Sequence, residues 1–312
     1  MITHPVDTVL VVTWLVFAHL VADFVLQNDW IAINKATGGR IGWTALGVHG
    51  LHVALCLLPA VFAFGALGIA YLLLVSLSHM AVDRWKVQAT RLAEARGQAS
   101  ARARLEQAGG LPGSGLGAAW TPWPGMLFLA DQALHLTIAL VGWIVILEGA
   151  TLAQGFVEFV DAVIRAWDPA TFHAAILTGV VLVSVFVVNT RGAYYFAMAL
   201  VTPREVKPLP DDAAGQAAAP LTASVTETVV LVGARARIAA TVAAMERLLI
   251  VAFVLVGFPV GVALVVALDV AARWRQLEDR AYVEHYLVST LASVSVALAS
   301  AFIAMAALSS LA

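Results

Sequence analysis

The sequence predicts an all-α protein, a polytopic membrane helical bundle of about 8 transmembrane helices plus one external amphipathic helix. Three observations predict it. The chain of 312 residues is 61% hydrophobic and 12% charged, with a mean hydropathy of +0.89, whereas a soluble domain carries roughly 25% charged residues. Several apolar runs are long enough to cross a hydrocarbon core about 30 Å thick. The basic residues of alternate loops collect on one side, as the positive-inside rule requires.

The expected spans are 8–27, 43–64, 66–85, 124–147, 172–200, 238–257, 260–273 and 283–310. Met1 to Leu10 contains Asp7 and no Lys or Arg, so the first run reads as a retained span rather than a cleaved signal. Pro259 turns the chain into the seventh run, which is short. Between the fourth and fifth runs Leu152, Phe156, Phe159, Val160, Val163, Ile164 and Trp167 recur at helical spacing, with Gln154, Glu158, Asp161 and Arg165 between them. That pattern is an amphipathic helix lying in the interface plane. The stretches 87–121 and 202–226 read as low-complexity connectors, the first opening as a charged, Ala-rich helix, and both partly disordered. The chain divides into a four-span domain at 1–150 and, at 151–312, the amphipathic helix with about four further spans.

Orientation follows from the loops. The side reached after the first span holds Lys35, Arg40, Arg84, Lys86, Arg204, Lys207, Arg235, Arg237, Arg273, Arg275 and Arg280 among others, and the opposite side only Arg165. The basic side is then cytoplasmic and both termini external. Trp30, Trp43, Trp85 and Trp123 fall near the same ends, as an aromatic belt does. No basic stripe points to nucleic acid, and Cys56, the single cysteine, rules out an intrachain disulfide.

The chemistry lies in the first four spans, each with a polar pair at helical spacing: His19 and Asp23, His49 and His52, His79 and Asp83, Asp131 and His135, with Gln132 beside the last. Spacings of three and four put each pair on one helix face. Counted at about 1.5 Å per residue from the aromatic or polar ends, seven of the groups fall in the cytoplasmic half and His135 near the midplane. Ionisable groups inside a span are costly and mark functional sites. Imidazole and carboxylate suit a divalent metal: zinc first, with iron or manganese open to the same donors. His19, His49, His52, His79 and His135 are the expected metal ligands. Asp23, Asp83 and Asp131 are expected as further ligands, as orienters of imidazole or as the general base. A structural histidine–aspartate network, proton or ion translocation, and haem held between His52 and His135 are the alternatives. A second polar group in the later spans comprises Asn189, Arg191, Glu246, Arg247, Asp269, Glu284 and His285. Either its charges pair with one another, or Arg191 and Arg247, with Glu246 and Glu284, bind an anionic head group of the substrate.

The stretches AHLVADFVLQ at 18–27, HGLH at 49–52, SHMAVDRWK at 78–86 and DQALH at 131–135 resemble a bacterial membrane family, domain of unknown function 3307, over residues 8–150. MERLLI at 245–250 and VEHYLVSTLAS at 283–293 resemble segments that follow this domain in its longer members. The resemblance implies a multi-pass protein of the bacterial inner membrane and no particular reaction. By analogy alone, the layout is similar to that of membrane proteins labelled metal-dependent hydrolases.

Three functions compete at this stage. The first is an intramembrane metal-dependent hydrolase acting on a lipid or lipid-linked substrate at the cytoplasmic leaflet. The second is a divalent-metal or proton transporter, which needs polar groups continuing through the membrane, whereas the external halves of the first four spans are almost wholly apolar. The third is a haem-binding protein or non-catalytic scaffold. A homo-oligomer is compatible with each.

Overall fold

The computed structural model describes residues 8–108, 119–165, 167–201 and 223–311. The glycine-rich part of the first expected connector, and 202–222 of the second, lie outside them. Among the described residues every regular element is helical: α1 Thr8–Leu20 running into a π-helical turn Val21–Leu26, α2 Asp29–Asn34, α3 Gly39–Cys56, α4 Leu58–Phe64, α5 Ala66–Ala108, α6 Trp123–Ile146, α7 Gln154–Ile164, α8 Pro169–Val187 with a π-helical turn Val188–Gly192, α9 Ala193–Val201, α10 Ala223–Leu255, α11 Pro259–Arg273, a 3₁₀ turn Trp274–Glu278 and α12 Arg280–Leu308.

Among the described residues six helical segments are long and apolar enough to cross a membrane, and a seventh if the bent pair α3–α4 counts as one span. Side chains such as Phe62 and Val145 point outward from them, 70% and 75% exposed, a surface that suits lipid and not water. The expected count of eight is not reached because α11 has 15 residues, a rise of about 22 Å against the ~30 Å of a hydrocarbon core. α5 does not stop at residue 85 but carries its helix through the charged segment to Ala108.

The bend between α3 and α4 is 45°. Pro59 stands in the first turn of α4, where its missing N–H costs nothing. Gly65, at φ +58°, then reverses the chain into α5, a conformation open to glycine without strain. α2 is started by Asn28, whose side chain accepts from the Ile31 N–H at 3.0 Å.

The chain forms two compact units. One comprises Met1–Thr90, Met126–Gly192 and Phe302–Ala312, the other Arg91–Gly125 and Ala193–Ala301. In the first, Leu15, Ala18, Ala22, Val53, Tyr71, Val75 and Ala139 make the apolar core. Tyr71 is fully buried, and its hydroxyl donates to the Ala139 carbonyl at 2.9 Å. Small residues let the helices approach: a Cβ on Gly142 would lie 3.3 Å from Leu74 and Tyr71, and one on Gly50 only 2.6 Å from the Met80 sulfur. α7 joins the same unit through the Ala153 N–H, which donates to the Ala63 carbonyl at 2.8 Å, and through Phe156 packed on the core. Phe159 of α7 remains exposed.

Candidate metal centre

The close approach at Gly50 brings the residue before it, His49 of α3, against His79 of α5, the residue before Met80. The π-helical turn after α1 carries Asp23 into the same place, a kind of helix defect that recurs at functional sites. α6 adds Asp131, Gln132 and His135. His19, Asp23, His49, His79, Asp83, Asp131 and His135 are all buried, and all belong to the first unit.

Asp23 Oδ1 is the hub. His79 Nε2 lies 3.1 Å from it, His49 Nε2 3.4 Å and His19 Nδ1 3.9 Å. The two Nε2 atoms are 3.0 Å apart. Neighbouring ligands on a tetrahedral zinc with bonds of 2.0–2.1 Å are about 3.3 Å apart, so the Asp23–His49–His79 triangle has the edge lengths a small divalent ion requires. Asp83 Oδ2, 3.4 Å from His49 Nε2, stands at the same spacing beyond His49.

Two further groups of donor atoms, His19 with His79 and His135, and Asp83 with Asp131 and His135, also lie within 4.8 Å of one another, but ring orientation sets the first of them apart. The rings of His79 and His135 stack, with centroids 3.7 Å apart and planes 7° apart. An ion shared by two such rings would sit about 60° out of each ring plane at zinc–nitrogen distances, where neither has a lone pair. His135 instead places its Nε2 3.3 Å from the His79 carbonyl and 3.8 Å from Asp131 Oδ1. A small cavity of about 20 Å³, lined by His19, His79, His135 and apolar side chains, has room for about one water.

Gln132 fixes the state of His19. Its amide nitrogen faces both Asp23 Oδ2 and Asp131 Oδ2 at 3.2 Å, so the NH₂ must point to the carboxylates and the oxygen to His19 Nε2, 3.0 Å away. His19 therefore carries its proton on Nε2 and keeps a lone pair on Nδ1, on the Asp23 side.

Two lysines complete the cluster. Lys35, just after α2, donates to Asp83 Oδ2 at 2.9 Å and to Gln27 Oε1 at 2.6 Å. Lys86 of α5 donates to Asp131 Oδ2 at 2.7 Å and lies over the Phe128 ring. Burial works against the charge of Lys35, but the carboxylates of Asp83 and Asp23 outweigh it and raise its pKa above the ordinary lysine value. Sequence reasoning counted both lysines as loop charges that set orientation. The signal for Lys86 was its position one helical turn after Asp83; Lys35 had no local signal.

The donor set fits a divalent ion in two further respects. Asp23 Oδ1 has three imidazoles within reach yet is buried with no well-formed hydrogen bond; native interiors leave few polar atoms so. Three carboxylates also face two ammonium groups, one negative charge in excess. A divalent ion would turn that into one positive charge in excess.

The remaining expected residues lie elsewhere. His52 is half-buried, outside the donor groups that converge, and its Nδ1 has no hydrogen-bond partner. Arg191 is exposed on the π-helical turn after α8. Glu284 pairs with the exposed Arg280 at 3.6 Å. In the second unit a cavity of about 320 Å³ is lined by Glu246, Arg247, Asp269, Arg273 and Tyr286 among others. There Arg247 donates to Ser293 Oγ at 2.7 Å, Glu246 lies 3.9 Å from Arg273, and Asp269 is held by Arg273 and the Tyr286 hydroxyl. Two acids and two arginines leave this cavity electrically balanced.

No curated protein and no solved structure matches the chain. A family model does, and its match takes in the whole donor cluster together with α7. Residues 11–164 match the model of the family described as Protein of unknown function (DUF3307).

Proposed function

We propose that the first unit holds one divalent ion, zinc by its donors, on Asp23, His49 and His79, and that the chain is a membrane-bound metal-dependent hydrolase. The observation that carries this reading is the convergence of one carboxylate oxygen and two imidazole nitrogens at 3.0–3.4 Å, with the carboxylate oxygen otherwise unsatisfied. A zinc ion on three protein ligands keeps a position open and supplies a Lewis acid and an acidified water. The chain's own residues would do the rest. His19 Nδ1, with its proton held on Nε2 by Gln132, is the base that can accept a proton beside Asp23. Asp83, held by Lys35 and 3.4 Å from His49 Nε2, can orient the nucleophile at the edge of the triangle, and Asp131 locks Gln132 and Lys86 in place.

The substrate in this reading is a lipid or lipid-linked molecule at the cytoplasmic leaflet of a bacterial inner membrane. The positive-inside rule, applied to the basic loops, supports that side for the donor layer and the other for the termini, α7 and its exposed Phe159. α3–α4 would then be one broken span and α11 an eighth, tilted or re-entrant one. The test is elemental analysis of the purified full chain beside His49→Ala and His79→Ala. We expect about one zinc per wild-type chain and loss of most of it in both variants. An absence of metal after reconstitution with zinc, iron and manganese in turn would remove the reading. A purely structural network is the second reading. It is favoured by Lys35 and Lys86, which already neutralise Asp83 and Asp131, and it predicts that metal-free protein is as stable as protein offered zinc.

A further inference from the structure

We infer that Lys35 and Lys86 form a cationic mouth that receives a phosphate group of the substrate, an inference that rests on the proposed metal centre. Four observations lead to it. The lysines are more accessible than the carboxylates they bind: their side chains are 12% and 22% exposed, against 2% and 0%. A ligand approaching from the cytoplasmic end therefore meets these ammonium groups before Asp83 and Asp131.

The second observation is spare donors. An ammonium offers three N–H groups. Lys35 uses two, on Gln27 and Asp83, and Lys86 one, on Asp131. Both ends retain N–H capacity for an oxyanion, the acceptor with which such groups make their strongest bonds. The third is charge. With a divalent ion in place the cluster has one positive charge in excess, so an anion neutralises it and a cation is repelled. The fourth is location. Lys35 follows the exposed Trp30 by five residues, and Lys86 adjoins the exposed Trp85. Interfacial tryptophans mark the head-group level, where the abundant oxyanion is lipid phosphate. The electrically balanced cavity of the second unit, by contrast, has no charge to offer an anion. The mouth thus selects a phosphate-bearing substrate and presents it beside Asp83 and His49, at the edge of the donor triangle.

The test uses the zinc-loaded full chain in detergent, titrated calorimetrically with inorganic phosphate and then with short-chain phosphatidic acid as competitor. The variants are Lys35→Gln with Lys86→Gln, Lys86→Gln alone, and Lys35→Arg with Lys86→Arg; zinc is quantified in each. We expect the wild type to bind phosphate, and the double glutamine variant to bind it at least about tenfold more weakly at unchanged zinc content. Lys86→Gln alone, whose more exposed side chain is the less able to disturb folding, should fall in between. The arginine variant should stay within a few fold of the wild type. Competition by phosphatidic acid assigns the mouth to lipid head groups; phosphate binding without competition assigns it to free phosphate. Zinc-loaded wild type that does not bind phosphate, or lysine variants that bind it as tightly as wild type, overturns the inference and leaves the metal centre standing. A wild type that takes up no zinc overturns both.

Discussion

Replacing Asp23 by asparagine removes the hub of the proposed centre while keeping its shape. One side-chain oxygen can still accept from Gln132, as Asp23 Oδ2 does at 3.2 Å, so the contact between the π-helical turn after α1 and α6 survives. What changes is the atom facing His79 at 3.1 Å and His49 at 3.4 Å. An amide nitrogen there has no lone pair to give. Losing even a group that only orients a ligand weakens metal binding by about 10–100-fold, so losing a direct donor and its charge should cost at least about 100-fold, or roughly 2.7 kcal/mol. The assay is zinc competition against a chromophoric chelator, with far-UV circular dichroism to check that the helices persist. His52→Ala, altering a side chain outside the donor triangle, should stay within about twofold of wild type. Zinc affinity in Asp23→Asn equal to wild type would refute the assignment of Asp23 as a ligand.

Other consequences are independent of that variant. Gly50→Val should push α3 from α5, because even a first added carbon would lie 2.6 Å from the Met80 sulfur; we expect a lower melting temperature and loss of zinc together, whereas Gly50→Ala, which a flexing Met80 can absorb, should lose far less. Tyr71→Phe deletes the buried hydroxyl bonded to the Ala139 carbonyl and should cost about 1 kcal/mol in thermal or denaturant unfolding, with zinc content unchanged. Asp168 caps α8 by accepting from Thr171; that backbone bond holds its carboxyl below the usual value of 3.8. A depressed folded-state pKa means the cap is intact above that value and is lost as pH falls through the folded pKa. The protection of the Thr171 amide against hydrogen exchange, relative to an unstructured amide at the same pH, should therefore fall only below about pH 4.

The donor layer was legible in the sequence because an ionisable residue in an apolar run is too costly to be incidental, and because helical rise alone reports its depth. His19, Asp23, His49, His79, Asp83, Asp131 and His135 were all found in this way. Periodicity could not separate His49 from His52: three residues apart, they share a face to within 60°, and only the close approach at Gly50 selects His49. Nor could it show that His79 and His135 stack, since ring orientation is set by packing between helices. Lys35 and Lys86 were read by loop position, although a long side chain can reach several ångströms back toward a buried carboxylate. The later acids and arginines were read as one group, whereas Glu284 is not among the residues that line the cavity with Glu246 and Arg247, and Arg191 belongs to the first unit. The amphipathic α7 was visible in its spacing; that it is tied to Ala63 by a backbone bond was not.

The central claim is that Asp23, His49 and His79 hold a metal, and X-ray absorption at the zinc edge of the zinc-loaded full chain tests it most directly. The account predicts three or four nitrogen and oxygen neighbours at about 2.0–2.1 Å, two of them with the outer scattering of imidazole, and no sulfur at about 2.3 Å. A shell of six oxygens without imidazole, or a spectrum unchanged by His49→Ala and His79→Ala, would contradict it.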